Sequence, residues 1–141
     1  MKQKSSLLNI ENGDLFLLRE ITISKSTTFS ELRKLFPTHR IWEVETGFNW
    51  IYFDDILFEY KKFYLYICFE GEMIRMIGFS MQDNTTSTWE NWSEENELQK
   101  EKYYKQWLTF HIGERRKFSW GIIDAYFDRK AGDTSIWINY N

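Results

Sequence analysis

The chain has 141 residues, 43% of them hydrophobic and 28% charged, and a formal net charge of -3. These values fit one globular domain over residues 1–141, with 1–12 as a loose lead-in, and indicate neither a disordered chain nor a membrane class. The negative balance, with a pI near 5.5, also argues against a nucleic-acid binder, because phosphate contacts need a basic surface.

One cysteine, Cys68, excludes an internal disulfide and a zinc site built on two or more thiolates. The first residues carry no continuous apolar run of the kind a signal peptide needs, so the expected compartment is the cytoplasm. Aromatic residues make up 19% of the chain. Rings pack well on pleated surfaces, so this excess predicts strands around a thick sheet core.

In chain order, Leu15 to Ser24 mixes apolar and β-branched residues after an Asn-Gly-Asp turn signal and predicts a first strand. Thr28 followed by Glu31, with Phe29, Leu32, Leu35 and Phe36 on one face and Pro37 beyond, predicts a short amphipathic helix. Residues 41–55 alternate around Thr46-Gly47 and predict a strand or bent hairpin. Residues 56–81 predict two strands meeting at Glu70-Gly71-Glu72. In the first of these, Phe63, Leu65, Ile67 and Phe69 share one face while Tyr64, Tyr66 and Cys68 share the other. Ser93 as N-cap, Glu94 and Glu95 in the first turn and Gly113 at the exit predict a second helix, with Leu98, Tyr104, Trp107, Leu108 and His111 along one stripe. Phe118 to Phe127 and Ser135 to Tyr140 predict a closing hairpin. Phe48-Asn49-Trp50 and Phe118-Ser119-Trp120 hint at a duplicated α-β-β unit. The expected fold is α+β: a single antiparallel sheet of about five to six strands with two helices packed on one face, in the order β-α-β-β-β-α-β-β.

No catalytic constellation emerges. Cys68 lies inside an alternating strand, His39 and His111 are far apart in sequence and lack metal-ligand spacing, and Asp54-Asp55 reads as a local turn. No phosphate-binding glycine motif occurs, so no cofactor and no metal are expected.

The charge is nevertheless uneven. Residues 41–60 hold Glu43, Glu45, Asp54, Asp55 and Glu59 with no Lys or Arg, and residues 83–101 hold Asp83, Glu90, Glu94, Glu95, Glu97 and Glu101 against Lys100. Trp42 and Trp50 sit in the first block, Trp89 and Trp92 in the second. Rings supply desolvated contact and negative potential steers a basic partner, so these blocks are the candidate interface, in particular Asp54, Asp55, Glu59, Trp89, Glu90, Trp92, Glu94 and Glu95. The competing reading of the tryptophans is a staple on the second helix surrounded by solvated glutamates.

The short helix among long aromatic strands, closing on "FSWGIIDAYFDRKAGDTSIWINY", resembles the small acidic immunity proteins that bacteria encode beside polymorphic toxins, including those of contact-dependent growth inhibition systems. The resemblance implies a cytoplasmic, non-enzymatic protein that binds a cognate toxin domain, often a nuclease with a basic cleft, and blocks its active site or substrate-binding surface. It implies a protein partner, no direct nucleic acid and no membrane. The alternative is a small-ligand-binding or scaffold domain with an aromatic-lined pocket.

Overall fold

The computed structural model describes residues 6–82 and 93–141. The elements run α1 (Phe29–Leu35), β1 (Ile41–Glu43), β2 (Phe48–Phe58), β3 (Lys61–Glu70), β4 (Met73–Met81), α2 (Glu94–Ile112), β5 (Lys117–Phe118), β6 (Gly121–Asp128) and β7 (Asp133–Tyr140). The strands form one antiparallel sheet in the order β1-β2-β3-β4-β7-β6-β5. The α+β class holds. Among the described residues the sheet has seven strands instead of five or six, and the first element is a helix instead of a strand.

Both helices start and stop where local chemistry dictates. The Thr28 hydroxyl accepts the Glu31 amide at α1, and the Ser93 hydroxyl accepts the Asn96 amide at α2, satisfying backbone donors that have no partner within the helix. Gly113, at a φ of 83°, ends α2 in a conformation that side chains disfavour.

The register explains how one face of the sheet became the core. Ile51, Ile67, Ile77, Ile138 and Ile123 are successive cross-strand partners, as are Phe53, Leu65, Phe79, Ile136 and Ala125. All ten are buried. α1 packs on this face through Phe29 against Phe69, and its C-cap Phe36 packs against Phe53. α2 packs on it through Trp107, whose ring lies 5.6 Å from Phe63 and 6.3 Å from Phe79. On the expected α2 stripe, Tyr104 and Leu108 are buried, whereas Leu98 is exposed.

Leu15 to Ser24 is not a strand. Leu15 forms isolated bridges to Leu8 and Ile23, and Leu17 and Leu18 are both buried. With only isolated bridges and no continuous ladder to a neighbouring strand, the segment has no extended pairing and serves as a coiled lid over the core. The chain leading into it is pinned by Trp120, whose Nε1 donates to the Ile10 carbonyl at 2.9 Å, and by the Tyr140 hydroxyl, which donates to the Gly13 carbonyl at 2.7 Å. Leu7 and Leu8, within the stretch read as lead-in, belong to the same core. The Phe-x-Trp repeat is not structural either: Trp120 is buried against Phe118 and Tyr140, while Trp50 lies on the opposite face of the sheet, so the duplicated unit falls away.

Candidate partner-binding surface

Asp54 and Asp55 do not form a turn. They make a bulge inside β2, where the register with β3 slips between Phe53 and Ile56, opposite Tyr64. Asp55 has a φ of 58°, a left-handed conformation that aspartate tolerates better than most side chains. β1 pairs only with Asn49 to Ile51, so the bulge sits on an unpaired stretch of edge. Two exposed charges and a bulge there oppose edge-to-edge pairing with another sheet.

Glu59 is at the tip of the two-residue turn between β2 and β3. Both Glu59 (φ 48°) and Tyr60 (φ 67°) are left-handed, as the twist of a tight hairpin demands. Its carboxylate accepts the Ser6 hydroxyl at 3.0 Å and meets His111 Nε2 at 3.3 Å. Glu59 therefore ties the hairpin to the C-terminal end of α2, and Tyr60 beside it is fully exposed.

Glu94 and Glu95 open the other end of α2, about 26 Å along the axis from His111 at 1.5 Å per residue. Glu94 is bonded to Arg129 of the β6–β7 turn, whereas Glu95 is exposed. Two further glutamates of this block turn inward. Glu97 is buried, with Lys100 Nζ 3.3 Å from one of its oxygens. Glu101 accepts the Phe127 amide of β6 at 2.7 Å. With the Arg116 carbonyl on the Ile123 amide and Asp124 on the Ala125 amide, Glu101 caps the outward donors of β6 where β5 has run out. Asp124 in turn faces Lys105 at 3.5 Å and Arg116 at 3.7 Å. Part of the second acidic block is thus edge protection. Trp89, Glu90 and Trp92 lie outside the described residues.

What the sequence reading missed is the other face of the sheet. Tyr52, Tyr66, Gly78, Trp137 and Asp124 form one cross-strand row, and Trp50, Cys68, Met76, Asn139 and Ile122 the next. Among the described residues no helix packs on it. A solvated antiparallel face is ordinarily polar; this one is paved with rings. Trp50 stacks on Tyr52 at 6.4 Å and meets Trp137 edge-on at 6.4 Å, and Tyr66 lies 5.4 Å from Trp137. Gly78 makes the paving flat. A Cβ there would stand 2.3 Å from the Tyr66 ring and 2.5 Å from Trp137, so only glycine lets both rings lie across the β4 backbone. Tyr66 is held by hydroxyl contacts with Ser135 and Ser80, and burial raises its pKa. The Arg40 guanidinium sits 4.3 Å over the Tyr52 ring. Trp42, paired with Trp50, is 57% exposed. The signal for this face was present in Tyr64, Tyr66 and Cys68 alternating with buried residues.

The chemical candidates are packed among other side chains. Cys68 is buried, and desolvation, with Glu70 adding to it, pushes its thiol up to about 11, the opposite of an activated nucleophile. A native sample at pH 8 is expected to resist a thiol reagent until denaturant is added; stoichiometric labelling within seconds would show the sulfur to be accessible. His39 rests among the Phe36 and Phe53 rings, and His111 among Phe58, Trp107 and Phe110.

Burial lowers the His111 pKa, Glu59 opposes that shift and Lys61 assists it. With the folded value below the unfolded 6.5, the unfolded chain takes up the proton first. The stability due to neutral His111 is complete above pH 6.5 and is lost as pH falls through the folded value. Urea midpoints at pH 7.5 and 5.0 should therefore differ more for the wild type than for His111→Gln; equal differences would show that the imidazole is not responsible.

No family model matches the chain, and no curated protein matches it. A chain of the solved complex described as "Rhs1-CT in complex with cognate immunity protein RhsI1" superposes with a TM-score of 0.61 at 18% identity, over 96% of this chain and 86% of that one. At that identity the likeness is one of fold.

Proposed function

We propose that this chain is an immunity protein that neutralises a cognate bacterial toxin domain by stoichiometric protein–protein binding and has no enzymatic activity of its own. The observation that carries the reading is the fold likeness, over nearly the whole chain, to a chain from a complex containing a cognate immunity protein. The buried, deactivated Cys68 and the ring-packed histidines are consistent with a binding role.

The partner in this reading is a basic toxin domain, a nuclease of the kind delivered by contact-dependent growth inhibition or related systems, met in the cytoplasm. No described helix is long and apolar enough to cross a membrane. The carboxylates of Asp54, Asp55, Glu59 and Glu95 supply the field that draws such a partner in, while Arg129 offsets Glu94, and Trp89, Glu90 and Trp92 are close to Glu94 and Glu95 in sequence. Steering depends on the summed field, so it does not require the two ends of α2 to touch the partner together.

The test is co-expression with the C-terminal domain encoded by the gene immediately upstream. Growth rescue and a 1:1 complex on size exclusion are the expected results, with an association rate that falls as salt rises and falls further in Asp54→Lys/Asp55→Lys and Glu95→Lys. A toxic domain that is neither rescued nor bound overturns the proposal.

A further inference from the structure

Four half-buried rings, Trp50, Tyr52, Tyr66 and Trp137, lie together on a sheet face that no described element covers. The more exposed Tyr64, at 44%, continues the surface toward the Asp54–Asp55 bulge opposite it. We infer that this open face, with the Asp54–Asp55 bulge at its border, is where the partner docks, and that the partner seats arginine or lysine side chains on the rings. The inference rests on the immunity reading and assigns its contact surface.

Charge selects the occupant. Of the other acids on this face, Glu70 is paired with Arg75, whose Nε donates to it at 2.8 Å, Asp124 faces Lys105 and Arg116, and Asp128 and Asp133 lie at its far end, where Asp128 accepts the Lys130 and Ala131 amides of the β6–β7 turn. No ion pair joins Asp54 or Asp55 to a described cation, although Lys62, next along β3 on the same face, offsets part of their charge. The face already takes a cation: Arg40 lies over Tyr52, and a partner's guanidinium on the neighbouring indoles would repeat that contact. A second copy of this chain would bring the same carboxylates, and a nucleic acid would bring phosphates, so a basic protein surface is the fitting occupant.

The interface follows the anatomy of known ones, with desolvated rings at the centre and charge at the rim. The surroundings hold the rings in place before binding: Gly78 admits Tyr66 and Trp137 against the backbone, and Ser135 and Ser80 fix the Tyr66 hydroxyl. Less side-chain ordering is then left to oppose association.

The experiment is hydroxyl-radical footprinting of the full chain, free and in complex with the co-expressed upstream domain, together with calorimetric affinities of variants. Trp50, Trp137 and Tyr64 are expected to be protected at least severalfold in the complex, with buried Trp120 unchanged. Trp137→Ala is expected to weaken binding roughly 30-fold, as truncation of a central aromatic anchor does. Tyr64→Ala, at a more exposed site, is expected to weaken binding less, and Phe110→Ala, 82% exposed on α2, to leave it within twofold. Should Trp137→Ala fail to fold, the wild-type footprint and Tyr64→Ala decide. If the wild type binds but protection falls on α1 or α2 and both face variants bind normally, this inference is overturned and the immunity reading stands. Absence of any binding removes both. Dimerisation of the free chain with the same protection, or quenching of these indoles by single-stranded DNA, also overturns it.

Discussion

Replacing Phe63 by alanine is expected to cost about 3–5 kcal/mol, the range for deleting a buried phenylalanine whose surroundings cannot collapse into the space. Phe63 is fully buried where both layers meet, with ring contacts to Phe58 at 6.2 Å, Phe79 at 6.1 Å and Trp107 at 5.6 Å. Those neighbours belong to β2, β4 and α2, so none can move into the cavity without drawing its own element along. Native proteins are stable by only about 5–15 kcal/mol in total. The variant should therefore unfold at markedly lower urea and lose on the order of 10 °C in Tm. A midpoint shift worth less than about 1 kcal/mol would mean that α2 does not depend on this contact for its docking.

Gly121→Ala is expected to cost roughly 2–5 kcal/mol through backbone geometry instead of lost apolar contact. Gly121 has a φ of 154°, and a Cβ there would lie 2.1 Å from the Asn139 carbonyl oxygen and 3.0 Å from the Tyr140 Cα. Gly121 and Tyr140 are register partners, so the only relief is to part β6 from β7. Parting them would loosen Tyr140, whose hydroxyl bond to Gly13 helps to hold the N-terminal lid. Urea unfolding and loss of amide protection at Ile122 to Ala125 are the measurements. Gly78→Ala is the comparison: its Cβ meets side-chain rings, which can swing aside, so a smaller cost of about 1–3 kcal/mol is expected, with disorder confined to the open face. Equal costs for the two would contradict this distinction between backbone and side-chain obstruction.

The candidate surface shows how far local pattern reaches. Asp54 and Asp55 stood out in the sequence as adjacent carboxylates without a cation nearby in the chain, and they are exposed and unpaired among the described residues. Glu94 and Glu101 belonged to the second acidic block, yet one meets Arg129 and the other an amide of β6, partners 35 and 26 residues away. A run of glutamates on a helix reveals its charge but not which of them a distant strand will use. Trp50 and Trp137 are 87 positions apart in the sequence and touch only because β7 inserts beside β4.

From sequence alone came the features whose cause lies within a few residues. These are the capped starts at Thr28 and Ser93, the glycine exit at Gly113, the Glu70-Gly71-Glu72 hairpin and the two-faced pattern of β3. Hydrogen bonds and steric limits inside one turn suffice for each of them. Tertiary structure alone decided which face of β3 the helices would cover, that the apolar stretch Leu15 to Ser24 would be a lid and not a strand, and that rings from β2, β3 and β7 would pave one surface. Alternation states that a strand has two faces; what lies against each depends on contacts between segments far apart in the chain, which no local pattern encodes.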